Sequence, residues 1–452
     1  MRSISRAPKF LQMLAAIGAA ALLAILAAGS VARAAITTVP GAIVFVGTDS
    51  NIYYCAGNCA DPKCLTCPTE GMHVRRDAGI IDAAFLTAAD EAPHNAEYGW
   101  PTFSPDGKRL AYSSAARTSH GPSFAVWVYD LAKHEATQVF ESRTERIIYL
   151  AWLSDARHLS FLLSEPVGMS LMLAEVKESA PIRIVTSGMP LYFDWGRSPG
   201  TLAVHMVANN SERTEQVSLM SLTPTSQQVD RVLSRGRSPF KTPCWSPDGK
   251  HLAYIVNNHA ESNLVVADAD GKNPRSIVSL PVGENSFEWA PDSTHIAYST
   301  AIISQDPVFH GIKMVDIVEA NSKWITQDPV AAYFISPDSR YLAFVGVPED
   351  KPYYSWGLVD LKTGKQKMLG NFITTNDSAT AYRFFDQLAV SHTIWSPDSS
   401  AFVFAGVRLL KDPQQALGMA PPPSVMVMPI DGGDPKLIGN GTVAFFSPAP
   451  AR

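Results

Sequence analysis

Residues 245–254 read Trp-Ser-Pro-Asp-Gly-Lys-His-Leu-Ala-Tyr, and this phrase recurs along the chain. Residues 103–112 repeat it as Phe-Ser-Pro-Asp-Gly-Lys-Arg-Leu-Ala-Tyr. Each copy begins with an aromatic or apolar residue, here called the anchor, seven positions before the first apolar residue of the next strand. The seven anchors with this spacing are Phe103, Trp152, Trp195, Trp245, Trp289, Ile335 and Trp395.

The spacing of the anchors predicts the fold. Consecutive anchors are separated by 49, 43, 50, 44, 46 and 60 residues. A period of about 40–50 residues is typical of one four-stranded blade of a β-propeller. Apolar runs such as 124–131 and 263–268 add further strands within a period. The sequence therefore predicts an all-β fold, a single β-propeller over residues 35–452.

The two ends of the chain complement each other. Residues 42–46 and 51–54 resemble the second and third strands of a blade that lacks its innermost strand. Residues 441–448 form an innermost strand that ends at a further anchor, Phe446. We expect the C-terminal strand to complete the N-terminal blade and close the ring, which removes exposed strand edges. Seven anchors and one composite blade predict eight blades, and seven is the alternative if region 152–195 does not hold two full blades.

The Ser-Pro-Asp-Gly phrase predicts a tight turn after each innermost strand. Proline fixes φ, aspartate bonds nearby amides, and glycine accepts positive φ. Six turn acids are expected at one end of the propeller: Asp106, Asp155, Asp248, Asp292, Asp338 and Asp398. Turn capping is the favoured interpretation of these acids, and a ring of cation ligands is the alternative.

The first 34 residues have the pattern of an export signal. A basic start is followed by an apolar run over about residues 10–28 and by Ala32-Arg33-Ala34, a small-x-small cleavage site. We predict a signal peptide over 1–34, cleavage after Ala34 and a periplasmic location. The alternative is an uncleaved membrane anchor, because the run approaches the ~20 residues that span a bilayer.

Composition excludes several classes of protein. Charged residues are 17% and hydrophobic residues 46% of the chain, so it has apolar material to bury and is not disordered. Removal of the signal, which holds four basic residues and no acid, changes the net charge from −5 to −9. An acidic exported protein is a poor binder of nucleic acid, which requires basic patches. After cleavage no membrane span is expected, and the protein is expected to be monomeric.

Four of the five cysteines form a loop over residues 55–67 in the N-terminal blade. Cys55, Cys59, Cys64 and Cys67 have the spacing C-x3-C-x4-C-x2-C. In an exported chain this pattern favours two local disulfides, of which three pairings are open. A metal site with four thiolate ligands is the alternative. The fifth, Cys244, is expected to be a buried thiol.

The search for catalytic chemistry identifies no catalytic residue and no cofactor. The histidines are scattered, and no His-Glu-x-x-His motif occurs. The spacing Gly-x-Ser-x-Gly occurs at residues 196–200, within the turn after the anchor Trp195, so no nucleophile elbow between a strand and a helix is expected there. Candidate binding loops are 77–98, 348–356, 371–392 and the prolines of 420–423, because insertions on a propeller map to loops. Aromatic groups on two of them supply the interaction candidates, although ordinary strand packing is the favoured interpretation of these groups. These candidates are Tyr353, Tyr354, Trp356, Tyr382 and Arg383.

The repeated Trp-Ser-Pro-Asp-Gly-Lys-x-Leu-Ala-Tyr phrase resembles the TolB-like, or WD40-like, β-propeller repeat over roughly residues 36–452. Similar repeats occur in TolB, in the propellers of prolyl oligopeptidases and dipeptidyl peptidases, and in some sugar-acid lyases. Because the repeats begin directly after the predicted signal and account for the rest of the sequence, we expect neither the N-terminal TolB domain nor a peptidase domain.

The resemblance implies a non-catalytic scaffold that binds an unknown protein of the cell envelope. Two alternatives stay open: a lyase or hydrolase with a site at the central channel, acting on carbohydrate or peptide, and a metal-binding or ligand-binding protein that uses the cysteine loop.

Overall fold

A computed structural model describes ten stretches of the chain: residues 37–67, 96–177, 181–197, 200–208, 215–223, 227–236, 241–257, 261–301, 308–409 and 421–448. The predicted signal peptide and most of loop 77–98 lie outside these residues. Within them, no helix is both long enough and apolar enough to cross a membrane.

Twenty-eight strands and two helices make up the described structure. The first half of the strands are β1 (Ile43–Gly47), β2 (Ile52–Cys55), β3 (Lys63–Cys64), β4 (Glu97–Phe103), β5 (Arg109–Thr118), β6 (Gly121–Asp130), β7 (Glu135–Ser142), β8 (Arg146–Trp152), β9 (His158–Glu165), β10 (Gly168–Glu175), β11 (Ile182–Trp195), β12 (Thr201–Ala208), β13 (Glu215–Leu222) and β14 (Gln227–Arg235). The second half are β15 (Cys244–Trp245), β16 (His251–Asn257), β17 (Ser262–Asp268), β18 (Arg275–Leu280), β19 (Glu284–Trp289), β20 (His295–Ala301), β21 (Phe309–Asp316), β22 (Ser322–Ile335), β23 (Tyr341–Gly346), β24 (Tyr354–Asp360), β25 (Gln366–Thr374), β26 (Ala401–Leu409), β27 (Ser424–Pro429) and β28 (Lys436–Phe446). The helices are α1 (Asn376–Arg383) and α2 (Phe385–Leu388).

Within each sheet, strands that follow one another in sequence pair antiparallel, which confirms the all-β prediction. Two four-stranded sheets, β4–β7 and β15–β18, are each one complete repeat, and β8–β14 form a seven-stranded sheet. A thirteen-stranded sheet runs from β19 to β28 and continues into β1, β2 and β3. The joined sheets arise because a long strand serves two repeats. The first part of β11 pairs with β10, the third strand of one repeat, and its last part pairs with β12, the second strand of the next repeat. Strand β22 pairs with β21 and β23 in the same way.

Neighbouring repeats pack face to face, and their apolar side chains meet between the sheets. One core cluster combines Val126 and Val128 of β6 with Leu150 and Phe161 of the following repeat. Another combines Val217 of β13 with the later strands β15 to β17. Both faces of a sheet are therefore buried, which accounts for the low charge content of the chain.

The anchors join one repeat to the next by hydrogen bonds as well as by packing. The indole N–H of Trp289 donates to the carbonyl oxygen of Cys244 at 3.0 Å, and that of Trp395 donates to the carbonyl oxygen of Phe334 at 3.1 Å. Trp152 repeats this contact on Thr102. In each case the acceptor precedes the anchor of the preceding repeat, so the tryptophans link adjacent inner strands. All eight anchors are buried except Trp195, which is half-buried.

The turn acids cap backbone amides. Asp248 Oδ1 accepts hydrogen bonds from the Ser246 hydroxyl at 2.7 Å and from the Lys250 amide at 3.1 Å. Every acid of the set accepts at least one amide two residues ahead. The pKa of Asp248 is lowered to about 2; burial opposes this shift, but the bonds from Ser246 and Lys250 outweigh it. These contacts are the ones that the capping interpretation predicts.

The C-terminal strand pairs with the N-terminal one. Residues 441–446 of β28 pair antiparallel with β1, and Ile43 lies opposite Phe446. The earlier part of β28 pairs with β27, so one strand serves two repeats. This pairing has the topology expected from the sequence, while the number of blades stays a prediction.

The cysteine loop contains two disulfides, as the favoured interpretation predicts. Cys55 is bonded to Cys59, and Cys64 to Cys67. Sulfurs in disulfides are not thiolates, so the arrangement differs from a four-thiolate metal site. Cys244 is a free thiol on β15; it is half-buried and not fully buried as expected, and desolvation of the thiol raises its pKa well above the ordinary value.

Candidate functional site

A helical insertion interrupts the innermost strand of the seventh repeat. The insertion, residues 375–392, starts after β25 and contains α1 and α2. Thr375 caps α1, because its hydroxyl accepts the amide of Ser378 at 3.0 Å. After the insertion, the inner strand resumes with a bridge between Trp395 and Phe402. Loop 371–392, expected to be irregular, is therefore a strand end followed by two helices.

The insertion contacts inner strands around the whole molecule. Its contacts reach β4 through Thr102, β8 through Tyr149, β11 through Phe193, the segment leading into β15 through Thr242, β22 through Tyr333 and β28 through Thr442. Helix α2 also contacts β19. A segment that touches so many inner strands must lie where they converge. The insertion therefore occupies the axis of the fold.

Gln387 is the central polar residue of the insertion. Its Nε2 donates to Tyr149 Oη at 3.1 Å and to the Phe193 carbonyl at 3.0 Å. Its Oε1 accepts from the Phe193 amide and from Thr242 Oγ1, both at 3.1 Å. These four bonds use the full capacity of a side-chain amide. One buried side chain thus joins three inner strands.

Phe385 and Asp386 hold helix α2 in place by two different kinds of contact. Phe385 packs against Tyr333 with ring centroids 4.7 Å apart. Asp386 Oδ2 lies 3.4 Å from Lys241 Nζ, and both side chains are largely buried. Lys241 Nζ also lies 5.7 Å from the centre of the Phe309 ring. The helix is held by an ion pair on one side and by aromatic packing on the other.

Two half-buried acids lie near the insertion and belong to inner strands. Burial raises the pKa of Glu288 to about 8, and the charge of Asp386 adds to the shift. Burial also raises the pKa of Asp194 to about 6, although its carboxylate accepts the Trp245 amide at 3.0 Å. Glu288 makes the equivalent contact with the Ile335 amide at 3.4 Å. Both acids bond the anchor amide of the next repeat, which assigns them a structural role.

His392 ends the insertion in an apolar environment. Burial lowers its pKa to about 3, so the ring is neutral at ordinary pH. The ring packs against Phe445 with centroids 4.5 Å apart, and Nδ1 lies 2.6 Å from Ser391 Oγ. Across the described stretches, no group of three or more His, Cys, Asp or Glu side chains could hold a metal ion. The insertion lies where the enzyme alternative places a channel site, and its Gln387 and Asp386 side chains bond to the surrounding residues.

Several exposed apolar side chains lie at one end of the fold. This end, here called the insertion face, is opposite the anchor turns and holds the starts of the inner strands and the turns between second and third strands. The exposed large apolar residues placed here are Ile148, Val167, Met189, Val282, Ile373, Phe384 and Val390. Val167 is 72% exposed and Met189 61%. Clustered exposed apolar residues often mark a protein-binding surface.

The interaction candidates divide between this face and the core. Arg383 is exposed on the insertion, and Tyr353 and Tyr354 are half-buried at the start of β24 on the same face. The structure corrects the other two. Trp356 and Tyr382 are 1% and 6% exposed and pack against each other and against neighbouring rings. Trp356 lies in the middle of β24, where residues 355–359 are all buried, and its packing is the one that the strand-packing interpretation predicts.

Residues missed by the sequence analysis define the site. Gln387 and Asp386 have no motif, and their role arises from contacts with residues 145–238 positions away. Phe384 and Val390 are the exposed large apolar residues of the insertion. The sequence signals for all four were their position in the candidate loop 371–392 and the 60-residue spacing before the anchor Trp395, which is longer than the others.

A second concavity lies at the outer edge, between β14 and the turn after β17. Its volume is about 340 Å³, and Arg231, Tyr254, Lys272 and Asn273 line it. Lys272 is already paired with Asp270. Sites for small ligands are mainly apolar with a few convergent polar groups. This open, charged groove has neither property.

Comparison with known proteins finds short sequence similarities, and no family model matches the chain. The Tol-Pal system protein TolB of Thioalkalivibrio sulfidiphilus is 32% identical over 77 residues, which are 17% of this chain and 18% of that protein. The uncharacterized peptidase YuxL of Bacillus subtilis is 25% identical over 105 residues, 23% of this chain and 16% of that protein. The chain thus matches less than a fifth of the length of these relatives.

Among solved structures, an oligogalacturonate lyase in complex with manganese aligns with a TM-score of 0.50 and 14% identity. The alignment covers 76% of this chain and 93% of the lyase. At this identity the similarity concerns the fold alone, and that fold is one in which four-stranded repeats succeed one another.

Proposed function

We propose that this TolB-like β-propeller protein is an exported, non-catalytic scaffold that binds another protein of the cell envelope through its insertion face. The observation that carries the proposal is the insertion itself. It fills the axis with internal hydrogen bonds and presents Phe384 and Val390 to solvent. The short similarity to TolB, whose name places it in a Tol-Pal system, supports a role among envelope proteins.

Export is part of the proposal. The pattern of residues 1–34 is that of a signal peptide, and the two disulfides suit an oxidising compartment. A fusion of the full chain to a reporter that is active only outside the cytoplasm tests this directly. Loss of reporter activity on deletion of residues 1–34 is the expected result, and unchanged activity would contradict it.

The chemistry of the insertion face indicates how a partner would bind. Apolar anchors at the centre of an interface supply most of the binding energy, and a charged rim adds specificity. Phe384 and Val390 would be the anchors, and the neighbouring Arg383 part of the rim. A partner with an apolar patch bordered by acidic residues fits this surface.

Site-specific photo-crosslinking in living cells tests the scaffold. A photoreactive residue at position 384 or 390 should give a discrete crosslinked product. The matched control is position 318, because Val318 is also apolar, is 73% exposed and lies at the opposite end of the fold. Equal products from positions 384 and 318 would contradict the assignment of the face. Phe384→Asp should abolish the product formed from position 390.

A further inference from the structure

The two disulfides of the cysteine loop lie in different environments. Cys55 and Cys59 are each 4% exposed and belong to an apolar core cluster with Phe45. Cys64 and Cys67 are half-buried at and just after the outer strand β3. A reductant in solution must reach a sulfur atom to attack it, so the second disulfide is the accessible one.

The accessible disulfide has the spacing and hydrogen bonding of a pair that can exchange. Two residues, Leu65 and Thr66, separate the cysteines. The backbone N–H of Cys67 donates to Cys64 Sγ at 3.0 Å, and such a bond stabilises negative charge on that sulfur. The exposed Lys63 precedes Cys64, and a neighbouring cation also favours a thiolate. These features favour Cys64 as the reactive sulfur.

The segment keeps its position by contacts that do not depend on the disulfide. The Leu65 amide donates to the Ile52 carbonyl at 2.8 Å, and Thr66 Oγ1 accepts the Ile52 amide at 2.9 Å. Leu65 is only 3% exposed and packs into the largest apolar cluster. Reduction would therefore leave the two sulfurs close together, ready to be oxidised again.

We propose that Cys64 and Cys67 form a thiol–disulfide exchange site, whose reaction partner is a dithiol or disulfide of another exported protein. In the reduced form, the Cys64 thiolate attacks one sulfur of the partner's disulfide, whose second sulfur leaves as a thiolate and takes a proton from water. Cys67 loses its proton to water and attacks Cys64 Sγ, which releases the partner's first sulfur. The partner gains two electrons, and the Cys64–Cys67 bond forms; the reverse sequence reduces it.

Redox titration of the full mature chain tests the proposal, with Cys55–Cys59 as the internal control. The protein is equilibrated in graded ratios of reduced to oxidised dithiothreitol, alkylated and analysed by peptide mass spectrometry, while tryptophan fluorescence monitors folding. We expect alkylation of Cys64 and Cys67 at a ratio at least about tenfold lower than for Cys55 and Cys59, with fluorescence unchanged. Opening of both disulfides at one ratio, or of Cys64–Cys67 only on unfolding, would overturn the proposal.

Variants that leave one cysteine of a pair without its disulfide partner give a second test. Cys67→Ser leaves Cys64 as a lone thiol, which should form a mixed disulfide with oxidised glutathione. The matched variant Cys59→Ser leaves the core residue Cys55, which should react at least about tenfold more slowly. Equal rates in the two folded variants would contradict the assignment of Cys64. If a variant does not fold, the titration of the unmodified chain decides.

Discussion

Both polar atoms of the Gln387 side chain have hydrogen-bond partners, and these bonds hold the insertion in place. Its amide pairs with both backbone groups of Phe193, much as a neighbouring strand would, and reaches Tyr149 and Thr242 as well. Buried polar groups that lose their partners cost more than the net value of the bonds they make. The insertion is thus specified by polar contacts and not by apolar packing alone.

We therefore expect Gln387→Leu to lower the free energy of unfolding by roughly 2–4 kcal/mol, because the Phe193 amide and its neighbours would stay buried without partners. Urea denaturation measures the change. Gln366→Leu is the matched control, since Gln366 is exposed on β25 and should change stability by about 0.5 kcal/mol or less. A similar loss in both variants would contradict the role assigned to Gln387.

Glu288 gives a prediction about pH. Its pKa is raised from 4.5 in the free group to about 8 in the fold, so the folded state favours the protonated form. Stability from this group is complete at low pH and is lost as pH rises from about 4.5 through about 8. Relative to the unmodified protein, Glu288→Gln should become progressively more stable across this window and level off above it.

Thermal or urea denaturation at several pH values measures that difference. Glu319→Gln is the control, because Glu319 is exposed in the turn after β21. The effect of the control should vary little over the same window. A Glu288→Gln difference that is flat with pH would contradict the assignment.

At the scale of elements, every anchor turn with an aspartate requires a residue with positive φ, and different residue types take that position. The residue after the turn aspartate has positive φ: Gly249 has φ of +72°, whereas Ala156 and Ser399 have +53° and +62°. Ser399 has a compensating contact, because its hydroxyl accepts the amide of Asp338 in the preceding turn at 3.1 Å. Ala156 has no hydroxyl to make such a bond.

Ala156→Gly should therefore stabilise the protein by about 0.5–1 kcal/mol, since glycine relieves the left-handed strain and loses only part of that gain to unfolded-state entropy. Ser399→Gly relieves similar strain but removes the bond to Asp338, so its net change should be near zero. The two melting temperatures, compared under one set of conditions, provide the measurement. A larger gain for Ser399→Gly would contradict this account.

The elements also show what sequence can and cannot reveal. Anchors and turns were predictable because each turn aspartate makes the same local contact, a hydrogen bond from the backbone amide two residues ahead. The insertion was not, because its helices are short and Gln387 finds its partners on strands far away in sequence. Trp356 could be either an interaction residue or a core residue for a related reason: an aromatic residue near a loop has no local mark of burial, and the buried position of β24 makes it a core residue.

At the scale of the whole molecule, the pairing of β28 with β1 joins the two ends of the chain. We expect a chain that stops after Asn440 to lose stability and to associate, because β1 would then have an exposed strand edge. Size-exclusion chromatography with light scattering, combined with urea denaturation, measures both effects. A monomer of unchanged stability would contradict the role of this pairing.

Rescue in trans provides the control for that deletion. A synthetic peptide of residues 441–448 can add to the free edge as a strand, since backbone bonds supply the affinity and alternating side chains the register. The peptide should restore the monomer, whereas a peptide of the same composition in scrambled order should not. Restoration by both peptides would indicate a nonspecific effect.

The unequal sheets described above have a consequence for where the chain can be cut. Hydrogen-bonded ladders are continuous from β19 through β28 to β3, but none joins β7 to β8, β14 to β15 or β18 to β19. Circular permutants that open the chain between β18 and β19, near Val282, would break no ladder and should fold, provided that the old termini are linked. Permutants opened within β22, which is shared by two repeats, should fail, so the places where new termini are tolerated would map the ladders directly.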